Sequence, residues 1–471
     1  MKKIIEIIFP YRLYLHIFQL ERYDVQRSLF WIFSHFLQRK TQNKKPLVYT
    51  KKVKAIIVAS LLFLITFFII GTIIFNLLFG FFILFLVLIQ PYFLIGLSVY
   101  LFSLYEFYIT KKAIKNTNKK IKFLKKVKVI GVAGSYGKTS VKNILHHLLS
   151  SKYKVLKTPL SYNTILGISK VVDLELDDSY DFFICEMGEF KRGDVIEMCE
   201  MVDPSYGVMT GVNSQHLERF KDLSNTTASI FELFDYLKNK KRKTVINFAN
   251  EYLKNEVEKR NVLEWVIPYG DLSSKMIAEE MKFSDFGTSF ELSLDGFKKE
   301  VSTPLLGNAH MNNILGSCIM AYDLGVSFKE IIERLATLPK VPHRFTQTLL
   351  TNGCLLIDNS YSSNVDSFRE SLVILKELNR KNKVLITPGI VEIGKESESI
   401  HLELGKKAKD ICTKIILVGD TPRTRALAEG IGKDKVIFMD DIKNMWSVFS
   451  GLGFDPHESV VLIENDLPDN Y

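Results

Sequence analysis

From Ala55 to Tyr105 the chain runs for 51 residues without a charged side chain. As helix such a stretch is about 76 Å long, against a hydrocarbon layer of about 30 Å. That is enough for two crossings joined by a short turn and too little for three. Its length and internal position exclude a cleaved signal peptide; the competing reading is a helix pair buried in a protein core. Lys51, Lys52 and Lys54 precede it, and Lys111, Lys112 and Lys115 follow it. Positive flanks stay on the cytoplasmic side, so both ends belong there and the number of crossings is even. The expected element is a transmembrane hairpin over residues 54–105. It turns near Asn76–Gly80, and Pro91 falls inside its second helix as a kink. Both termini and all that follows the hairpin are then expected on the cytoplasmic face of the cell membrane.

The charge distribution agrees. Residues 1–130 carry 21 Lys and Arg against 4 Asp and Glu, whereas the remaining 341 carry 41 against 48. The basic run Lys111–Lys128 suits anionic headgroups, at about 1 kcal/mol per residue near a bilayer. Nucleic acid is not the expected partner, because the charge hugs the apolar stretch and lacks interleaved aromatics. Residues 1–53 read as helical and amphipathic, with Leu15, Phe18, Leu29, Phe30, Trp31 and Phe36 on the apolar side. Cys185, Cys199, Cys318, Cys354 and Cys412 have no metal-type spacing and read as reduced and buried.

Beyond the basic linker of residues 106–126, strand and helix signals alternate. Strands are expected at Val127–Ile130, Lys154–Leu156, Phe182–Glu186, Gly207–Thr210 and Thr244–Asn247, with helical patterns between them. Phe283–Leu306 reads as an antiparallel appendage. A second alternating series has strands at Cys354–Ile357, Val384–Thr387, Ile415–Val418, Val436–Met439 and Val460–Ile463. The fold class is therefore α/β: a central parallel-sheet domain (127–340) and a C-terminal Rossmann-like domain (341–471), preceded by the helical hairpin.

Between the first strand and a helical run lies GVAGSYGKTS, Gly131 to Ser140. A glycine-rich turn there gathers backbone N–H groups and a helix N-terminus around one point, a phosphate site. Gly134, Ser135, Gly137 and Ser140 supply the cradle, Lys138 a cation and Thr139 a magnesium-ligating hydroxyl. Five residues separate Gly131 from Gly137 and two separate Gly134 from it, against four in the common P-loop. The expected ligand is a nucleoside triphosphate, ATP, with Mg2+.

Further polar positions follow. Asn163 and Thr164 open a helix, either to reach the nucleotide or only to cap it. Glu186 ends a buried strand at the edge where parallel sheets collect ligands, and suits magnesium; facing solvent is the plainer alternative. His216 lies a few residues past another strand end, as a second metal or phosphate ligand or as a surface residue. His310, Asn312 and Asn313 share a helix start, as ligands or as a cap. His343 and Arg344 lie between the two domains.

Taken in order, GVAGSYGKTS, YNTILG, ICEMGEF, VNSQHLERF, GNAHMNN and PHRF followed by DNSYSSN resemble the Mur ligase family, over roughly residues 127–471. Within it, DNSYSSNVDS and VEIG with the later His401 are most similar to the branch that adds a D-alanyl-D-alanine dipeptide. The resemblance implies ATP-dependent amide-bond formation through an acyl phosphate, in peptidoglycan precursor synthesis. A muramoyl-peptide carboxylate and an amino-acid or dipeptide amine would be the substrates. It implies Lys138 on the β- and γ-phosphates, Thr139 and Glu186 on magnesium, and Asn163 and His216 lining the metal and γ-phosphate region. Asn313 would border the adenine. Arg344 would reach the γ-phosphate on domain closure, and Asp358 and Asn359 would contact ribose or phosphate.

Three departures stand out. The family's carbamylated lysine has no counterpart in NTTASIFELF, where Ser229 and Ile230 fall near its position. Asn359 replaces the second acid of an Asp-Asp-Ser-Tyr pattern. A helical segment and hairpin stand where the family has its uridine-nucleotide domain, which points to a lipid-linked or membrane-proximal acceptor. Other expectations are a polyglutamate-type ligase, or a weakly active ATP-binding scaffold that recruits other wall-synthesis enzymes. A transporter is not the expected reading, because two crossings make no evident pathway and no charged residue lies within them.

Overall fold

A computed structural model describes residues 11–21, 23–34, 47–89, 91–160, 162–189, 191–212, 223–340, 342–360, 364–390, 393, 396–440 and 442–464. The chain divides into two compact units, with the boundary between Lys112 and Ala113.

The first unit is helical: α1 (Tyr11–Leu20), α2 (Val25–Ser34), α3 (Lys51–Ile74), α4 (Leu77–Ile89) and the opening turns of α5 (Tyr92–Phe123). Thr50 caps α3 by accepting from Val53 N at 3.2 Å, and Asn76 Oδ1 accepts from Phe79 N at 2.8 Å to start α4. The second expected crossing is divided into α4 and α5. The break falls at Pro91, which has no N–H to donate and whose ring clashes with a preceding turn; its carbonyl accepts from Ile95 N at 3.1 Å. Ser60 and Ser98 hydroxyls meet at 3.0 Å, and Lys52 Nζ reaches Glu106 at 2.7 Å. These contacts set α3 and α5 antiparallel, with their charged ends level. Leu15, Phe18, Val53, Ile56, Ile95 and Val99 form the small core. Outside it, Leu61, Leu62, Ile65, Ile69, Ile73, Leu78, Phe81 and Phe85 are exposed. Helices α3 (mean hydropathy 2.8, 17% buried) and α5 (1.5, 28% buried) are long and apolar enough to cross a membrane.

The second unit begins inside α5. Residues 106–123 of the stretch expected as a linker are helical, and from Ala113 onward they belong to the second unit. Ile114, Ile121 and Leu124 join the core, Thr117 donates to Ser169 Oγ at 2.9 Å, and Lys120 donates to Val172 O at 2.7 Å.

The central sheet is parallel, in the order β2-β3-β1-β4-β5-β6. Its strands are β1 (Lys128–Ala133), β2 (Val155–Lys157), β3 (Phe182–Glu186), β4 (Tyr206–Met209), β5 (Thr244–Asn247) and β6 (Val266–Tyr269). Helices α6 (Lys138–Leu149), α7 (Ile165–Glu175), α8 (Asp194–Val202), α9 (Leu223–Asn239) and α10 (Glu251–Arg260) follow the strands, and α11 (Asn308–Asp323) and α12 (Phe328–Leu335) complete the layers. Strands β1 and β3 are buried almost throughout, as a sheet covered on both faces requires. The antiparallel appendage is β7 (Met276–Ser284), β8 (Gly287–Leu294) and β9 (Phe297–Thr303), starting seven residues before the expected point.

The C-terminal sheet runs β10-β11-β15-β12-β13-β14. Its strands are β10 (Thr346–Leu349), β11 (Leu355–Asn359), β12 (Asn382–Thr387), β13 (Lys414–Val418), β14 (Val436–Met439) and β15 (Ser459–Glu464). Only β10 is antiparallel. Helices α13 (Val365–Glu377), α14 (Ser397–Ile411) and α15 (Pro422–Ile431) cover it.

Candidate active site

The turn between β1 and α6 is shaped by two glycines in conformations that disfavour a side chain: Gly134 at φ 145° and Gly137 at φ 77°. Space forbids one as well. A Cβ on Gly134 would lie 2.1 Å from Thr210 Oγ1, and one on Gly137 would lie 2.5 Å from Asn313 Oδ1. Ser135 N donates to Gly211 O at 2.8 Å, and its buried hydroxyl has no partner among the described residues. Between these glycines Tyr136 lies across Gly211, and its hydroxyl accepts from Asn250 Nδ2 at 3.3 Å. Burial raises the Tyr136 pKa.

Glu186 ends β3 beside the turn, and three groups converge on its carboxylate. Thr139 donates to it at 3.0 Å, Asn163 Nδ2 at 3.2 Å and Lys142 Nζ at 2.8 Å. Its own backbone N donates to Thr158 Oγ1 at 3.2 Å. Lys142 and Glu186 are 1% and 2% exposed, so this ion pair is wholly buried; Lys142 also donates to Leu160 O. Lys157, held on Asn143 at 2.7 Å, has its pKa lowered by burial and then by Lys142. Lys138 makes a second pair with Glu189, at 3.0 and 3.3 Å, and also donates to Gly134 O.

The paired oxygens of Thr139 and Glu186 are hard donors. They fit a magnesium ion that takes its other ligands from phosphates and water. No cluster of three or more His, Cys, Asp or Glu side chains of metal-binding type occurs among the described residues.

The structure brings Lys138, Thr139, Ser140, Asn163 and Glu186 together and assigns other neighbourhoods to the rest. Thr164 is the cap of α7, accepting from Gly167 N at 3.3 Å. Asn313 abuts Gly137, so it lies against the phosphate turn. His216 lies outside the described residues. Ser229 is buried, with a hydroxyl that lacks a partner among the described residues. Asp358 accepts from His343 Nδ1 at 2.7 Å and from Ser360 Oγ at 2.6 Å. Asn359, expected on the nucleotide, is turned inward: it is 4% exposed and its amide donates to buried Glu464 at 2.9 Å and to Ser367 at 3.1 Å. A second acid there would set two carboxylates face to face, so an amide is the group that fits.

Arg344 sits between His343 and Phe345, both in the left-handed region (φ 62° and 48°). His310, at the start of α11, donates to Arg344 O at 3.1 Å and packs edge-on against Phe345. Burial pushes the His310 pKa down to about 4 from its ordinary 6.5. A base held neutral in this way stabilises the fold fully above pH 6.5, and that contribution is lost as pH falls toward 4. The slope is about 1.4 kcal/mol per pH unit. His146, pushed down to about 4 mainly by burial, acts in the same sense. A His310→Gln variant keeps a donor for Arg344 O. It should therefore lose about 3 kcal/mol less stability than the parent between pH 7 and pH 4, as chemical denaturation at the two pH values would show; equal losses would refute the assignment.

Sequence reading missed Lys142 and Glu189. The first stands one helical turn after Lys138 and the second three residues after Glu186; spacing from known positions is the signal that marks them.

The turn between β1 and α6, with the Glu186 carboxylate beside it at the strand end, forms a candidate nucleotide site on the first of two α/β sheets. Residues 132–321 match the Mur ligase middle domain, so the chain carries that domain. Mur ligases are ATP-dependent ligases that form amide bonds. Among the most similar curated proteins are UDP-N-acetylmuramoyl-tripeptide–D-alanyl-D-alanine ligases. That of Escherichia coli K12 is 27% identical over 322 residues, covering 67% of this chain and 70% of the relative. That of Buchnera aphidicola is 26% identical, covering 63% and 65%. The chain thus spans roughly two thirds of the length of these relatives. The crystal structure of MurF ligase from Thermotoga maritima in complex with ADP shares the fold, with TM-score 0.65 and 22% identity over 76% of this chain and 80% of that one.

Proposed function

We propose that this chain is a membrane-anchored ATP- and magnesium-dependent ligase. In this reading it joins D-alanyl-D-alanine or a similar amine to the carboxylate of a muramoyl-peptide. The observation that carries the reading is the convergence of Lys138, Thr139, Asn163 and Glu186 at the C-terminal edge of β1 and β3, in a fold shared with ligases of that specificity.

The chemistry asks little covalent work of the protein. A substrate carboxylate oxygen attacks the γ-phosphorus and ADP leaves. The amine then attacks the acyl carbon, and orthophosphate departs carrying the original carboxylate oxygen. Positioning and charge neutralisation supply the rate. Backbone N–H groups of the turn and the α6 N-terminus hold the phosphates, Lys138 offsets charge building on them, and Arg344 is delivered from the domain junction. Glu186 and Thr139 would hold magnesium, which neutralises phosphate charge when bound. Lys142 keeps the Glu186 carboxylate oriented.

The apolar, exposed flanks of α3 and α5 support anchoring in a bilayer, with Lys52–Glu106 at the cytoplasmic level. An anchored active site meets a lipid-linked acceptor at high effective concentration. Two measurements test the reading. Oxygen-18 in the acceptor carboxylate should appear in released phosphate, and a lipid-linked acceptor should turn over faster than its UDP-linked counterpart in reconstituted bilayers. Absence of label refutes the ligase; faster turnover of the soluble acceptor refutes the lipid-linked preference.

A further inference from the structure

Two ion pairs stand side by side at the phosphate turn, and they differ in kind. The inner one, Lys142–Glu186, is tied into a network: Glu186 also takes Thr139 and Asn163, and Lys142 also takes Leu160 O. It can persist when a ligand arrives. The outer pair is self-contained. Lys138 has three N–H donors, and the structure engages them on Gly134 O and on both oxygens of Glu189. Lys138 is 12% exposed and Glu189 only 3%. Among the described residues Lys138 is the polar partner Glu189 has. Phosphate oxygens entering the turn therefore find the Lys138 ammonium already neutralised, with a carboxylate where a phosphate would bind.

We propose that Glu189 is a built-in competitor for the phosphate site, standing on Lys138 in the empty chain and having to leave it before a nucleoside di- or triphosphate can bind. The proposal rests on the reading that this turn binds ATP. The exchange swaps one anion for another on the same ammonium, so the competitor weakens binding by the strength of its own pair. In a site this dry a close charge pair is substantial, whereas an exposed one would be negligible. The device keeps the turn closed to weakly held anions such as orthophosphate and favours a ligand that brings several phosphate oxygens at once.

The test uses the full chain in detergent micelles and ADP bearing a fluorescent methylanthraniloyl group. Glu189→Gln preserves shape and leaves an acceptor for Lys138. It should bind the nucleotide about tenfold more tightly or better, and KM for ATP should fall with kcat unchanged or lower. Glu189→Ala should show the same direction. Lys138→Met should abolish binding in either background, and circular dichroism establishes that each variant is folded. Equal or weaker binding by both Glu189 variants, with the parent binding normally, overturns the competitor. If neither the folded parent nor any variant binds nucleotide, the ATP reading of the turn fails and the competitor falls with it.

Discussion

Lys138→Met should lower ATP-dependent phosphate release by a hundredfold to a thousandfold or more, about the cost of removing one preorganised charge or donor from a transition state. The side chain is unbranched and of similar length, and Lys138 is not part of the apolar core, so folding should survive. A steady-state assay with saturating acceptor and amine reads the effect. An Arg replacement should not rescue it, because a planar guanidinium fork does not reproduce the compact ammonium that donates to Gly134 O and Glu189. A variant that keeps half the parent's rate would remove the turn from the reaction altogether.

Lys142→Met should be the most damaging single change to stability. It leaves the Glu186 carboxylate, 2% exposed, without its ammonium, and breaking a buried pair by removing one partner costs about 3–5 kcal/mol. Urea unfolding followed by circular dichroism would show the shift. The double variant Lys142→Met with Glu186→Gln removes both charges and should recover most of that stability, since a neutral amide is far cheaper to bury. Activity should stay low, because Glu186 is then no longer an anion beside Thr139. A single variant as stable as the parent would mean that water reaches the pair.

The two predictions separate roles that residue types alone leave mixed. Both lysines follow the same glycine turn, four positions apart on one helix. Only the three-dimensional partners show that Lys138 meets the entrance and Lys142 the sealed interior.

What could be read in advance follows the physics of burial. Strands β1, β3, β12 and β15 are covered on both faces and spell themselves out as β-branched and aliphatic runs. Strands β6 and β10, both at sheet edges, left little trace. An edge tolerates Pro268 in one and the polar residues Thr346, Gln347 and Thr348 in the other. The hairpin was legible from its missing charges, but its second limb was not legible as two helices, since the effect of Pro91 depends on neighbours. At the site, Lys138, Thr139 and Glu186 were readable because strand ends and glycine turns point there. The His310 bond to Arg344 was not, for it is made to a backbone carbonyl, which every residue carries. Asn359 was misplaced because its partner, Glu464, lies 105 positions away.

The end of α5 has a practical consequence. Ile114, Ile121 and Leu124 lie within the first shell of the catalytic domain's interior, although they precede its first strand. Cutting the chain just ahead of β1, at the border suggested by composition, would strip a helix from that interior and expose an oily groove to water. A water-soluble form should instead start near Ala113, retaining the last three turns of a helix whose opening turns, Tyr92 to Tyr105, carry no charge.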